Sequence, residues 1–139
     1  MLSVVPGHLS PGRPENIMSD PNFVLLYVDD PAASAAFYAS LLGRPPVEAS
    51  ATFAMFALES GVMLGLWSRH TVAPAATAPG GGELAFTVAD AAAVRATHAA
   101  WAERGLAIAQ APTQLDFGYT FVALDRDGHR LRVFAPGAA

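Results

Sequence analysis

The sequence predicts an α+β fold of two βαβββ modules that together form a cupped, eight-stranded mixed sheet. Three observations lead to this prediction. A strand, a helix and three further strands are expected in that order twice along the chain, and such internal repetition is typical of repeated modules. A stretch rich in proline and glycine, PAATAPGGG, separates the two copies. In both copies an aspartate precedes the helix and a glycine follows it, as N-caps and C-caps require.

Module one is predicted over residues 21–72. Its helix begins at Asp30 and Pro31 and ends at Gly43, because these residue types are favoured at the N-cap, the first helical position and the left-handed C-cap. Its four strands are predicted from short apolar runs at residues 23–28, 47–49, 53–58 and 62–67.

A linker over residues 73–82 leads to module two, predicted over residues 83–136. There Asp90 is the expected N-cap of a helix that continues through Arg104, and Gly105 ends it. The four strands of module two are predicted at residues 84–88, 106–110, 119–124 and 131–134. Residues 1–20 contain three prolines and no hydrophobic periodicity, so we predict an irregular tail followed by a single domain over residues 21–139.

Composition excludes several classes of function. The 139 residues include eight basic and twelve acidic side chains, for a formal net charge of -4, which argues against a nucleic-acid partner. There is no cysteine, so disulfides, thiolate metal ligands and thiol nucleophiles are absent. No apolar run reaches the roughly 20 residues of a membrane helix, and the first residues lack the basic segment of a secretory signal. We therefore expect a cytoplasmic protein without a membrane partner.

Each predicted sheet has one face beneath its helix and one open face, because side chains alternate along a strand. The alternation places aromatic side chains on the open faces, which are expected to line the cup. The predicted ligand-binding residues are Phe23, Tyr27, Met63, Gly65 and Trp67 in module one and Glu83, Phe117, Tyr119 and Arg132 in module two.

Two long segments carry a family resemblance. YVDDPAASAAFYASLLG and FVALDRDGHRLRVFAP resemble the first strand-helix signature and the closing hairpin of the glyoxalase and bleomycin-resistance, or vicinal oxygen chelate, superfamily. The resemblance covers residues 22–136, although Arg126 stands where the family's hairpin turn commonly has proline. WSRH, PTQLDFGYTF and DRDGHRLRV are most similar to the phenazine-antibiotic resistance branch, whose members bind the drug without destroying it. The resemblance also implies a symmetric homodimer with ligand sites at or near the subunit interface.

The resemblance further implies four metal-ligand positions, on the first and last strand of each module. They are Phe23, Gly65, Glu83 and Arg132 in this chain. Only Glu83 can donate to a metal, since arginine has no lone pair to offer, so we expect neither a metal nor a cofactor. No HxH or HExxH spacing occurs. The four histidines, interpreted as surface or turn residues, are His8, His70, His98 and His129.

Three other residues have structural interpretations. Asp125 and Asp127 lie in a tight turn, where carboxylates bind backbone N–H groups, so they are not interpreted as a catalytic pair. Trp101 lies on the second predicted helix and is expected to have a packing role. No catalytic residue is predicted.

The leading hypothesis is a non-enzymatic protein that sequesters a planar aromatic, phenazine-like antibiotic by stacking it on the aromatic residues of the cup. Gly65, which has no side chain, would leave free space for the ligand at the base of the cup. Arg132 would bind a carboxylate or phenolate of the ligand through two hydrogen bonds. Glu83 would either bind an amine of the ligand or hold Arg132 in place.

Three alternatives stay open at this point. The aromatic residues could be core, with Glu83 and Arg132 an ordinary ion pair. The protein could be a metal-dependent lyase, isomerase or dioxygenase with displaced ligands such as Glu83 and His70. It could also be an interaction module whose cup is filled by its own side chains.

Overall fold

The structure is a computed structural model that describes residues 21–137. The described chain divides into two compact units between Ala76 and Thr77. The first, module one, contains β1 (Phe23–Val28), α1 (Pro31–Leu42), β2 (Glu48–Ala49), β3 (Phe53–Ala57) and β4 (Met63–Ser68). The second, module two, contains β5 (Glu83–Thr87), α2 (Ala91–Glu103), β6 (Ala107–Leu115), β7 (Gly118–Leu124) and β8 (Arg130–Pro136).

This order of elements confirms the predicted α+β class with two βαβββ modules. The predicted tail over residues 1–20 lies outside the described residues. No helix within residues 21–137 is long and apolar enough to cross a membrane.

The helix boundaries follow from local capping, as predicted. The Asp30 side chain accepts a hydrogen bond from the Ala33 backbone N–H at 3.2 Å, and Asp90 accepts one from Ala93 at 2.8 Å. Gly43 ends α1 in the left-handed region with φ 69°. Glycine adopts this conformation at little energetic cost because it has no Cβ. These caps satisfy backbone groups that the first and last helical turns leave unpaired.

Each module forms its own four-stranded mixed sheet. The strand orders are β1-β4-β3-β2 in module one and β5-β8-β7-β6 in module two. The first strand of each module pairs in parallel with the last, and the other pairs are antiparallel. Because directly paired residues share a face of the sheet, the register assigns each side chain to the helix face or to the open face.

The core of module one lies between α1 and its sheet. Tyr38 is the main contribution of the helix, with 1% of its surface exposed. The sheet contributes a set of fully buried side chains, namely Val28, Ala54, Phe56, Leu64 and Leu66.

Trp101 is the centre of the core in module two. Its ring lies 5.7 Å from that of Phe86 and 5.5 Å from that of Phe121, both in edge-to-face geometry, which is a favoured aromatic arrangement. The His98 ring also contacts that of Phe121 edge-to-face, with centroids 5.3 Å apart. His98 therefore packs against the core, which corrects its interpretation as a surface or turn residue. The predicted packing role of Trp101 is confirmed.

Strand β6 corrects one prediction. It was expected to end at Gln110, before Pro112, but it continues to Leu115. Proline lacks a backbone donor and is tolerated in edge strands and bulges, and β6 is an edge strand whose register shifts between Gln110 and Thr113. The proline therefore lies at an irregularity inside one long strand.

The turn before β8 is held by Asp125. Its Oδ1 accepts hydrogen bonds from the backbone N–H groups of Asp127 and His129, both at 2.9 Å. The interpretation of Asp125 as a turn residue is confirmed.

Candidate functional site

The open face of the module one sheet carries a groove, called the module-one groove below. Its cavity volume is about 530 Å³, within the range of about 300 to 1,000 Å³ usual for small-molecule sites. Its lining combines apolar and aromatic side chains with one carboxylate and two hydroxyls. The lining residues are Phe23, Leu25, Glu48, Ser50, Thr52, Phe53 and Trp67.

Phe53 and Trp67 form the aromatic wall of the groove. The two residues are direct partners in the antiparallel register of β3 and β4. Their ring centroids lie 6.1 Å apart with the planes at 90°, so each ring stabilises the orientation of the other. The groove therefore presents aromatic surface next to solvent.

Gly65 lies in the sheet beneath these side chains. A Cβ built on Gly65 would lie 2.6 Å from Leu25 Cδ2, 3.0 Å from Phe23 Cε1 and 3.1 Å from Phe53 Cζ. The space in front of Gly65 is therefore already filled by apolar atoms. This corrects the expectation that Gly65 leaves open floor in the cup. The missing side chain instead allows the apolar residues of the groove to approach the backbone.

The groove brings together two of the five site residues predicted in module one, Phe23 and Trp67. Tyr27 and Met63 share the same face by register, since they pair with Trp67 and Phe23 respectively. Tyr27 is 42% exposed, whereas Met63 is 3% exposed. Neither contributes to the groove lining, so for Met63 the structure favours a packing role.

Phe53 and Glu48 are lining residues that the sequence did not indicate. Strand β3 has an aromatic residue on each face, Phe53 and Phe56, so alternation alone does not show which one is open. The pairing of Phe53 with Trp67 decides it. Glu48 lies in a two-residue strand that composition would assign to an ordinary polar surface.

The open face of module two contains a group of contacts around Arg132. Its Nε donates to Glu83 Oε2 at 2.5 Å, and its Nη1 donates to Thr120 Oγ1 at 3.2 Å. The guanidinium carbon lies 5.4 Å from the centre of the Phe117 ring, which also contacts Phe134 at 5.8 Å. Arg132 and Glu83 are thus an ion pair, as one alternative held, and Glu83 holds Arg132 in place.

Tyr119 lies on the opposite face of this sheet, which corrects its assignment to the cup. Thr120, its neighbour in β7, contacts Arg132 on the open face, so alternation directs Tyr119 towards the helix. The Arg95 guanidinium of α2 lies over the Tyr119 ring at 5.6 Å. Phe117 precedes the strand, so its contact with Arg132 could not be inferred from strand alternation.

His70, one candidate for a displaced metal ligand, takes part in a surface ion-pair group. Its Nε2 lies 2.6 Å from Asp29 Oδ1, and Arg69 Nη2 donates to the same oxygen at 3.2 Å. The hydrogen bond with His70, followed by that with Arg69, lowers the pKa of Asp29. Within residues 21–137 no group of three or more metal-ligating side chains is assembled.

The fold and these sites can be compared with known proteins. The family model of the Glyoxalase/Bleomycin resistance protein/Dioxygenase superfamily matches residues 21–133. The chain belongs to this superfamily. A protein from Agrobacterium tumefaciens, solved by NMR in solution, is 55% identical to this superfamily member, covers 86% of this chain and 99% of its own, and superposes with a TM-score of 0.81.

Two solved structures of lower sequence identity share the fold. A glyoxalase-related enzyme from Fulvimarina pelagi is 21% identical, with 85% of this chain and 88% of its own covered and a TM-score of 0.74. A glyoxalase/bleomycin resistance protein/dioxygenase family enzyme from Burkholderia phytofirmans PsJN is 20% identical, with 86% and 100% covered and a TM-score of 0.74. No curated protein matches the chain.

The residues at the four positions that the resemblance implies for the superfamily's metal do not fit a cation. Phe23 and Gly65 have no donor atom, and apolar carbons occupy the space in front of Gly65. Glu83 is the one carboxylate, and it is hydrogen-bonded to Arg132. A divalent ion requires several convergent oxygen or nitrogen donors, which these positions do not supply.

Proposed function

We propose that this superfamily member is a non-enzymatic receptor that sequesters a planar aromatic, phenazine-like antibiotic in the module-one groove. The proposal rests on one observation: an aromatic and apolar groove of suitable size occupies the sheet face on which the resemblance implies metal ligands. A planar ligand would stack on the Trp67 and Phe53 wall and contact the Phe23 and Leu25 side chains.

Such a receptor protects the target of the drug by binding the drug stoichiometrically. Each molecule of drug that it binds is withheld from its target, so protection depends on protein concentration and on the dissociation constant, without turnover. Offset stacking contributes about 0.5 to 1.5 kcal/mol per aromatic pair beyond burial of apolar surface. Two or three such contacts, added to burial in the groove, are compatible with micromolar affinity.

Tryptophan fluorescence tests the proposal. The chain has two tryptophans, of which Trp67 lines the groove and Trp101 is buried in the core of module two. Titration with phenazine and other tricyclic aromatic compounds should quench the emission of a Trp101→Phe variant, in which Trp67 is the remaining tryptophan. The Trp67→Phe variant should show little quenching. A broad panel that leaves Trp67 emission unchanged overturns the proposal.

An enzymatic role would require a metal site elsewhere. Glu83 and His70, the candidate displaced ligands, are paired with Arg132 and Asp29 respectively. Loading metal-stripped protein with nickel, zinc, manganese or iron, followed by dialysis and elemental analysis, distinguishes the two functions. Stoichiometric retention of one of these metals would favour the enzyme.

We also propose that the receptor is a symmetric homodimer. The resemblance implies this assembly. Leu25 and Tyr27, on the open face of module one, are both 42% exposed, so a second copy would cover apolar surface there. Sedimentation velocity at micromolar concentration should give a dimer, and a monomer at that concentration would refute the assembly.

A further inference from the structure

We propose that the module-one groove is selective for planar aromatic cations, such as N-alkylated or protonated aza-aromatic rings, over neutral and anionic compounds of the same shape. This inference rests on the proposed function, because it specifies the charge of the ligand that the groove binds. It depends on the Glu48 carboxylate, on the aromatic wall and on the positions of the neighbouring arginines.

Glu48 lies on the open face of the sheet by register. It pairs with Met55, which in turn pairs with Gly65, and Gly65 pairs with Leu25. The carboxylate therefore belongs to the same face as the aromatic wall and lines the groove. Within the part of the chain that the structure describes, it has no hydrogen-bond or ion-pair partner.

Glu48 is also the sole ionisable side chain among the groove-lining residues. The two arginines within residues 21–76 are paired elsewhere. Arg44 donates to the Ala57 carbonyl at 2.8 Å and lies 3.6 Å from Glu59, and Arg69 lies 3.2 Å from Asp29. Neither arginine of module one therefore neutralises Glu48, and the resulting negative charge at the groove favours a cationic ligand.

The aromatic wall acts in the same direction. The faces of Phe and Trp rings carry the negative part of the ring quadrupole, so a cation held over them is attracted, most strongly by Trp. Phe23, Phe53 and Trp67 all line the groove. A positive charge spread over a flat ring system can stack on this wall and remain close to Glu48, whereas a ligand carboxylate would be repelled by both.

The Ser50 hydroxyl of the groove does not offset this preference. Ser50 Oγ accepts the backbone N–H of Phe53 at 3.2 Å and donates to the Phe53 carbonyl at 3.2 Å, so it is committed to the local turn. Among the described residues, no cationic side chain lines the groove. Selection for positive charge is therefore the property that the lining supports.

Three probes with one ring skeleton test the inference: N-methylphenazinium, phenazine and phenazine-1-carboxylate. Titrations monitored by Trp67 emission in the Trp101→Phe background should show the cation binding about tenfold more tightly than phenazine. The carboxylate should bind more weakly than phenazine. Raising the salt concentration should reduce the advantage of the cation, because Glu48 is exposed to solvent.

Substitution of Glu48 isolates its contribution. Glu48→Gln should weaken binding of the cation about fivefold and change that of phenazine by less than about twofold. Glu48→Lys should reverse the order of the cation and the carboxylate. Glu59→Gln is the matched control, since Glu59 lies in the same module, is 90% exposed and does not line the groove. It should leave all three affinities unchanged.

The outcomes separate the two proposals. If none of the three probes quenches Trp67, the proposed function and the inference are both overturned. If phenazine binds but the carboxylate binds as tightly as the cation, or Glu48→Gln leaves the selectivity intact, only the charge preference is refuted. Urea denaturation midpoints of the Glu48 variants, compared with that of Glu59→Gln, show whether an affinity change comes from altered folding.

Discussion

Gly65 and Leu25 are register partners on β4 and β1, and the Leu25 side chain occupies the space that a side chain at position 65 would fill. This relationship shows why the groove has an apolar surface where the resemblance implies a metal ligand. A donor cannot be added at Gly65 without moving Leu25 and the neighbouring phenylalanine rings. The apolar packing of the groove therefore depends on glycine at position 65.

Replacement of Gly65 by histidine should not create a metal site and should lower the free energy of unfolding by about 1 to 3 kcal/mol, the usual cost of overpacking. The imidazole must displace Leu25 Cδ2 and press on Phe23 and Phe53. Urea denaturation, with and without added zinc, measures both effects. The double variant Gly65→His with Leu25→Ala should recover part of the loss, because it removes the nearest obstacle. Wild-type stability of the single variant would contradict the crowding at Gly65.

The Glu83–Arg132 pair should contribute measurably to stability. Its side chains are 30% and 15% exposed, and Arg132 is also hydrogen-bonded to Thr120. Glu83→Gln should lower the free energy of unfolding by about 1 to 2 kcal/mol, since hydrogen bonds to charged groups contribute more to stability than hydrogen bonds between neutral groups.

The Arg44–Glu59 pair is a suitable comparison, with a separation of 3.6 Å and Glu59 90% exposed. Glu59→Gln should change the free energy of unfolding by less than about 0.5 kcal/mol, as for most exposed pairs. Equal effects of the two substitutions would mean that the Glu83–Arg132 pair is fully screened by solvent in solution.

Local signals were enough to predict the elements of the fold. Asp30 and Gly43 act within one helical turn of where they stand, so their identities reveal the ends of α1 directly. The same holds for Asp125, whose partners lie within four residues. Strand β6 is longer than predicted. It continues past Pro112 because proline is tolerated in an edge strand, and the sequence does not show which strand is an edge.

The candidate site was predicted only in part, because it depends on pairing register between distant strands. Phe23 and Trp67 follow from alternation along their own strands. The role of Phe53 can be predicted only if its pairing with Trp67 is known. The sheet face of Tyr119 can be predicted only if the contact between Thr120 and Arg132 is known. Glu48 is distant in sequence from Leu25, yet the register places both on one face. Such relationships are properties of the assembled sheet.

The lowered pKa of Asp29 should be observable in solution. The hydrogen bond with His70 is its largest cause and that with Arg69 the second. His70→Ala should therefore raise the pKa of Asp29, and Arg69→Ala should raise it less. A titration of the carboxyl carbon by NMR measures both variants.

The direction of the effect on stability follows from this shift. A carboxyl whose pKa is lower in the folded state stabilises the fold above its ordinary pKa, and this contribution is lost as the pH falls through the lowered value. Asp29→Asn should therefore remove a small part of the acid sensitivity of unfolding. An Asp29 pKa at its ordinary value in the wild-type protein would refute the ion-pair group.

Gln110 offers a test of the open face of module two. Its Oε1 is buried and has no hydrogen-bond partner among the described residues, and its register partner Val122 pairs on the other side with Arg132. An unsatisfied buried carbonyl costs about 1 to 3 kcal/mol. Gln110→Met, which keeps the length of the side chain, should therefore raise the free energy of unfolding by about 1 kcal/mol.

Gln114→Met is the matched control in the same strand. Gln114 Nε2 donates to the carbonyls of Leu115 and Gly137 at 3.0 and 3.2 Å, so this substitution should lower the free energy of unfolding or leave it unchanged. Urea denaturation of both variants measures the contrast. If Gln110→Met instead destabilises the protein by more than about 1 kcal/mol, Oε1 accepts a hydrogen bond in solution. Replacing the amide lowers the free energy of unfolding only where the amide is hydrogen-bonded.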